Sequence, residues 1–161
     1  MTETSEAPPA LVMRFAAPDD LPRLKALADP ERKSLGFVYR GALARAIARE
    51  EVLVAESEGA MTGFCHFYRR RDGVATIYHL VVEPAARRIG IGRQLVEGVA
   101  SDCGVRGLVG LRLKCPHDLP ANSFYARIGF CRIDEEIGRS RNLFLWERSI
   151  DTVTELLTVP P

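Results

Sequence analysis

The run Arg87-Arg88-Ile89-Gly90-Ile91-Gly92-Arg93 has the residue types and spacing to hold phosphate. Glycine lets a backbone turn tightly and approach a ligand closely. The first N–H groups of a following helix lack intrahelical partners and favour an anion. Three arginines add positive charge beside them. Other phosphate loops are excluded by spacing. There is no GxxxxGK[ST], and a dinucleotide GxGxxG would require glycine where Leu95 stands. The pattern suits a pyrophosphate.

Groups able to move a proton or attack a carbonyl are few and scattered. His66, His79 and Glu83 lie in or beside apolar runs, and Cys115-Pro116-His117 closes another. Cys65, Cys103, Cys115 and Cys131 form no CxxC pair, so neither a metal site nor a disulfide framework is expected. Free thiols fit a reducing cytoplasm, the expected location.

The elements that must position these residues are legible as periodicities. Leu11 to Phe15 reads as a strand, and Pro18-Asp19-Asp20 opens a helix that ends at Asp29-Pro30. A second helix is expected from Gly41 to Arg49. Strands follow at Val52–Glu56, Met61–Arg70 and Val74–Val82, the last two joined by a two-residue hairpin at Asp72-Gly73. Leu95, Val99 and Cys103 recur at helical spacing and stop at Gly104. Leu108–Lys114 alternates as a strand, Asn122–Ile128 forms a short helix stopped by Gly129, and Phe130–Ile133 and Leu143–Trp146 are final strands. Arg69-Arg70-Arg71 reads as a solvated strand end. One α/β domain is expected over residues 11–148, with a flexible tail at 1–10 and another tail at 149–161 that carries one helical turn around Val153, Leu156 and Leu157.

The loop Arg87–Gly92, led into by Leu80-Val81-Val82-Glu83-Pro84, resembles the coenzyme A loop of the GNAT N-acetyltransferases. Ala121-Asn122-Ser123-Phe124-Tyr125-Ala126-Arg127-Ile128-Gly129-Phe130 is similar to that family's A-N-x-F-Y-x-x-x-G-F segment, at the usual remove. The resemblance implies an α/β (α+β) acyl-CoA N-acyltransferase fold. Its central mixed sheet is mostly antiparallel, flanked by helices, and splayed between the fourth and fifth strands. It implies acetyl-CoA as cosubstrate, no metal, and direct transfer of the acetyl group to an amine of a small molecule or peptide.

Residue roles follow from the same resemblance. Val81 and Val82 would offer backbone to the pantetheine arm, while Arg87, Arg88, Ile89, Gly90, Ile91, Gly92 and Arg93 would cradle the pyrophosphate. Asn122 would touch the coenzyme, or cap its helix. Tyr125 would serve as general acid beside the thiol sulfur. An alkylamine acceptor has a pKa of about 10.4 in water, so it must also lose a proton. Family members place a glutamate or histidine eleven or nine residues before the loop's first basic position, where this chain has Thr76 and Tyr78. Neither is a good base near neutral pH. Tyr78 and Glu83 stand with Tyr125 as catalytic candidates, His79 and His66 or a water chain as alternatives, and a cysteine nucleophile is not expected.

Composition bounds the partners. Twenty-two basic side chains nearly cancel 21 acidic ones, leaving +1, which argues against a general grip on nucleic acid or membrane. No apolar run approaches the roughly 20 residues that span a bilayer. The acceptor-side segments 29–41 and 134–142 carry Arg32, Lys33, Arg40, Arg139 and Arg141, which read as surface charge or as attraction for an acidic acceptor. Two alternatives accompany the small-molecule enzyme: a non-catalytic acyl-CoA sensor, and a protein lysine or N-terminal acetyltransferase, which would need an open groove. A homodimer is compatible with the resemblance.

Overall fold

Among the described residues, alternating and continuous apolar runs build six of the seven strands, the exposed polar segment Cys131–Glu136 adds the seventh at the sheet's edge, and helical stripes cover both faces. A computed structural model describes residues 10–151. The order is β1 (Leu11–Phe15), α1 (Leu21–Ala28), α2 (Arg32–Leu35), α3 (Arg40–Ala48), β2 (Val52–Ser57), β3 (Ala60–Arg69), β4 (Val74–Val82), α4 (Ile91–Val105), β5 (Gly110–Pro116), α5 (Ala121–Arg127), β6 (Cys131–Glu136) and β7 (Leu143–Ser149). The sheet order is β1-β2-β3-β4-β5-β7-β6. β4 and β5 pair in parallel, and every other neighbour is antiparallel.

Two cores result. Leu95, Val96, Val99 and Cys103 of α4 pack on Cys65, Phe67, Ile77, Leu111 and Leu113 from one face. Leu24 and Leu27 of α1 and Leu43 and Ile47 of α3 pack on Val52, Val54, Phe64 and Val81 from the other. Alternation along each strand assigns residues to these faces. Burying that much aliphatic surface stabilises the fold by about 1.5–3 kcal/mol per large side chain.

The feature that matters for function lies between β4 and β5. Their ladder stops at Ile77↔Leu113, although both strands continue, β4 to Val82 and β5 to Pro116. The cause is on β4's other edge. His66 pairs with His79, and the adjacent Phe67 pairs with Ile77, so Tyr78 is an extra residue. Such a bulge bends its strand and ends local pairing. The expected splay is therefore present, opened at Tyr78.

Several boundaries differ from the sequence reading. The β3–β4 hairpin is a three-residue loop: the N–H of Arg70 donates to the Val74 carbonyl, and Gly73 takes positive φ while Asp72 does not. Asp72 instead accepts a hydrogen bond from the Val74 N–H. Helix α4 runs through Gly104 and ends before Gly107 (φ +86). A Cβ at Gly104 would meet Ile150 Cγ2 at 3.1 Å, so this glycine serves close packing and not termination. β5 begins two residues later than expected, and β7 runs on to Ser149, with Ile150 buried in the α4 core. The folded body thus extends past 148.

Arg69 is not solvated either. Its guanidinium donates to Asp102 of α4 and to the carbonyls of Arg49 and Glu50 beyond the end of α3, joining both faces at one sheet corner. The turn expected around Val153, Leu156 and Leu157, and residues 1–9 of the expected N-terminal tail, lie outside the described residues.

Candidate active site

Where β4 and β5 part, a groove of about 910 Å³ opens between them. One edge of β4 has no ladder partner from Tyr78 to Val82, so its backbone faces the groove. The β4–α4 loop closes one end. Gly90 adopts φ +86 and Arg88 φ +70, a left-handed pair that turns the chain into α4. No side chain caps α4, so the N–H groups of Ile91, Gly92 and Arg93 point out of its first turn without side-chain partners. A Cβ at Gly90 would meet nothing within 4 Å. At Gly92 it would meet Phe124 Cζ at 3.4 Å and Val82 Cγ2 at 3.7 Å, filling the cradle. Gly90, Gly92, Ile91, Arg88 and Arg93 all line the groove, whereas Ile89 is absent from the lining and stands 71% exposed.

Arg87 also faces the groove, but it is engaged. Its Nε donates to the Val82 carbonyl at 3.0 Å and its Nη2 to Glu31 at 2.6 Å. One carbonyl expected to be open to a ligand thus already has a donor.

Helix α5 supplies the wall opposite β4. Tyr125 is buried, packs edge-on to Phe130 with ring centroids 5.6 Å apart, and lines the groove. Its hydroxyl has no partner among the described residues and is not sealed from the groove. Burial pushes its pKa above the ordinary phenol value, with the Cys65 and Cys115 thiols adding to the shift, so it holds its proton at neutral pH. Phe124 beside it also lines the groove and stands against Gly92.

Asn122 is not placed as expected. Its amide Nδ2 donates to the carbonyls of Pro116, Leu119 and His117, and its Oδ1 accepts from Trp146 Nε1 at 2.9 Å. With both ends used internally, it fastens the β5–α5 turn to β7, neither facing the groove nor capping the helix.

The base candidates separate. Tyr78, on the bulge, lines the groove. Glu83 does not: β4 has ended, its N–H is bound to the Thr62 carbonyl, and its carboxylate turns toward Arg23 of α1 at 3.5 Å. His66 and His79 form a cross-strand pair, Nδ1 to Nδ1 3.0 Å, on the face of α1 and α3 and outside the groove lining. One ring donates and the other accepts, so the accepting ring is neutral. Burial, reinforced by the neighbouring imidazole, brings His66 down to about 4, and burial lowers His79. Cys115 edges the groove, but burial pushes its thiol up to about 11, so it is no thiolate nucleophile.

Sequence reading marked segment 29–41 as acceptor-side without placing it over the split. Residues 31–36 cross the split as a strap: Glu31 binds Arg87 on the β4 side, and the Lys33 carbonyl accepts from Arg141 Nη1 at 2.9 Å on the β7 side. Lys114 also lines the groove. It is the first β5 residue beyond the last β4 pair, as Tyr78 is on β4. No local pattern marks these residues, because the contacts that assemble them are separated by 56 and 108 positions.

Among the described residues no cluster of His, Cys, Asp and Glu is suited to a metal ion, and no helix is long and apolar enough to cross a membrane. Residues 48–132 match the family model described as the acetyltransferase (GNAT) domain. No curated protein matches the chain. Solved structures show the same fold. Ard1 from Thermoplasma volcanium superposes with a TM-score of 0.80 at 21% identity, over 88% of this chain and 99% of that one. The PaiA N-acetyltransferase from Thermoplasma acidophilum, in complex with coenzyme A, gives 0.75 at 19%, over 87% and 99%. N-acetylglutamate synthase from Neisseria gonorrhoeae gives 0.77 at 22%, over 91% of this chain but 36% of that one, so the chain spans about a third of its length.

Proposed function

The chain belongs to the GNAT acetyltransferase family, and from that premise we propose that it transfers the acetyl group of acetyl-CoA to the amine of a small molecule. The observation that carries the reading is the groove at the β4–β5 split, with an uncapped helix N-terminus at one end and the Tyr125 hydroxyl on its wall.

Acetyl-CoA supplies an acyl carbon on a sulfur leaving group. The chain's own groups divide the remaining work. The N–H groups of Ile91, Gly92 and Arg93, with Arg88 and Arg93 side chains, bind the pyrophosphate. The unpaired edge of β4 binds the extended arm as an added strand would. Overall, a carbon–nitrogen bond forms and a carbon–sulfur bond breaks; the amine loses one proton and the sulfur gains one. Tyr125, kept protonated by burial, holds that second proton at its hydroxyl. The proton lost by the amine leaves through water at Tyr78, since neither Glu83 nor the histidine pair reaches the groove. Holding both reactants beneath one roof supplies much of the acceleration.

The strap favours a small acceptor over a protein one. Its two anchors close over the split, whereas a lysine on a folded protein needs an open trough. Thiol release from acetyl-CoA, measured with a panel of small amines and a panel of peptides and proteins, tests this. Turnover confined to small amines supports the reading; efficient acetylation of folded proteins defeats it. Tight coenzyme binding without release for any acceptor would leave the sensor.

A further inference from the structure

We propose that the acceptor carries a carboxylate as well as its amine, and that Lys33, Lys114 and Arg141 receive that carboxylate at the end of the groove away from the phosphate loop. This rests on the amine-acceptor reading above and names its substrate class.

Glu31 is the sole carboxylate among the described residues lining the groove, and it is paired to Arg87. Lysines or arginines line it from the strap, the loop, β5, α5 and the β6–β7 connection. The phosphates of the donor account for those beside Gly92. They do not account for Lys33 on the strap or for Lys114 and Arg141 beneath it. Lys114 lies on the sheet face opposite Leu113 and Cys115, which belong to the α4 core, so it projects toward the strap's side. It faces Tyr78 across the mouth of the split. Its Nζ is held by Glu136 at 2.7 Å, and Arg141 is held by Asp118 at 2.7 Å. Both carboxylates lie outside the groove lining and are about half exposed. They fix the cationic heads without exhausting their donors, since an ammonium has three and a guanidinium five. Lys33 makes no ion pair among the described residues.

A carboxylate on the acceptor is drawn toward these cations, whereas an acceptor whose only charge is positive is not.

The test is thiol release from acetyl-CoA with each L-amino acid paired with its α-amide, plus putrescine, spermidine and phosphoethanolamine. The best acid is expected to exceed its amide by about tenfold or more in kcat/KM, mostly through KM. Lys33→Ala and Lys114→Ala should each cut that ratio several-fold with coenzyme affinity unchanged, and Lys33→Arg should restore it. Amides or polyamines turned over as well as acids, or a ratio indifferent to both lysines, would overturn the proposal while leaving the acetyltransferase reading intact. Preference for phosphoethanolamine would overturn the carboxylate alone. If no amine releases thiol, the enzyme reading falls. Calorimetry of N-acetylglycine against N-acetylglycinamide on the coenzyme-loaded protein then decides the carboxylate question, equal affinities counting against it.

Discussion

The two ends of the groove are built by different means. The proposed donor end is one contiguous segment: a strand that has lost its partner, a left-handed turn and the first turn of α4, all presenting backbone. The proposed acceptor end is assembled from side chains on three distant segments, the strap, β5 and the β6–β7 connection, fastened by ion pairs. Backbone presentation depends on little besides φ and ψ, so it can serve one invariant ligand. Side-chain assembly can be rebuilt position by position, which suits the part that selects the acceptor.

The comparison can be broken most directly at Gly92. Gly92→Val places methyl groups against Phe124 and Val82, where a Cβ alone already makes contact. The coenzyme Kd is expected to rise about a hundredfold, roughly 3 kcal/mol, by calorimetry with the fold retained. An unchanged Kd would show that the loop does not hold phosphate. Tyr125→Phe should lower kcat about a hundredfold at unchanged coenzyme affinity. Because the hydroxyl has no partner among the described residues and the ring keeps Phe130, the melting temperature should hold; undiminished turnover removes Tyr125 as the acid.

The histidine pair belongs to neither end, and pH separates it from both. His66 titrates at about 4 in the folded chain against 6.5 for the free side chain. Between those values the unfolded chain binds more protons, so stability rises with pH through that window and is complete above about 6.5. At pH 5 this one group costs about 2 kcal/mol relative to pH 7.5. His66→Asn should weaken the pH dependence of the denaturation midpoint over that range, with buried His79 supplying what is left. A shift in the acid limb of kcat/KM in the same variant would instead place the pair in the reaction.

Asn122→Ala should lower stability by about 1–2 kcal/mol, since Trp146 Nε1 and the carbonyls of Pro116, His117 and Leu119 each lose a partner, without weakening coenzyme binding. Weaker binding at unchanged stability would return Asn122 to the donor end. The smallest effect is expected for Glu31→Gln. Freed from Glu31, Arg87 can turn to phosphate, and coenzyme affinity should improve by about two- to threefold, within the range of a partly exposed ion pair. A large loss would mean that the strap itself builds the donor site.

The sequence by itself determined whatever depends on local pattern. β1 and β4 begin and end where their periodicity predicts, and the glycine loop stood out as a candidate phosphate site because its residues lie within one run of seven. Local reading failed where one residue type serves two ends. Gly104 looked like a helix stop and is a contact with Ile150; Asn122 looked like a coenzyme contact and is a clasp on Trp146. Only the tertiary structure decided the acceptor end. Whether Glu31, Lys33, Lys114 and Arg141 meet depends on the order β4-β5-β7 and on a one-residue bulge at Tyr78. A shift of one residue sends a strand's side chains to the opposite face, so no spacing within any one segment could reveal that meeting.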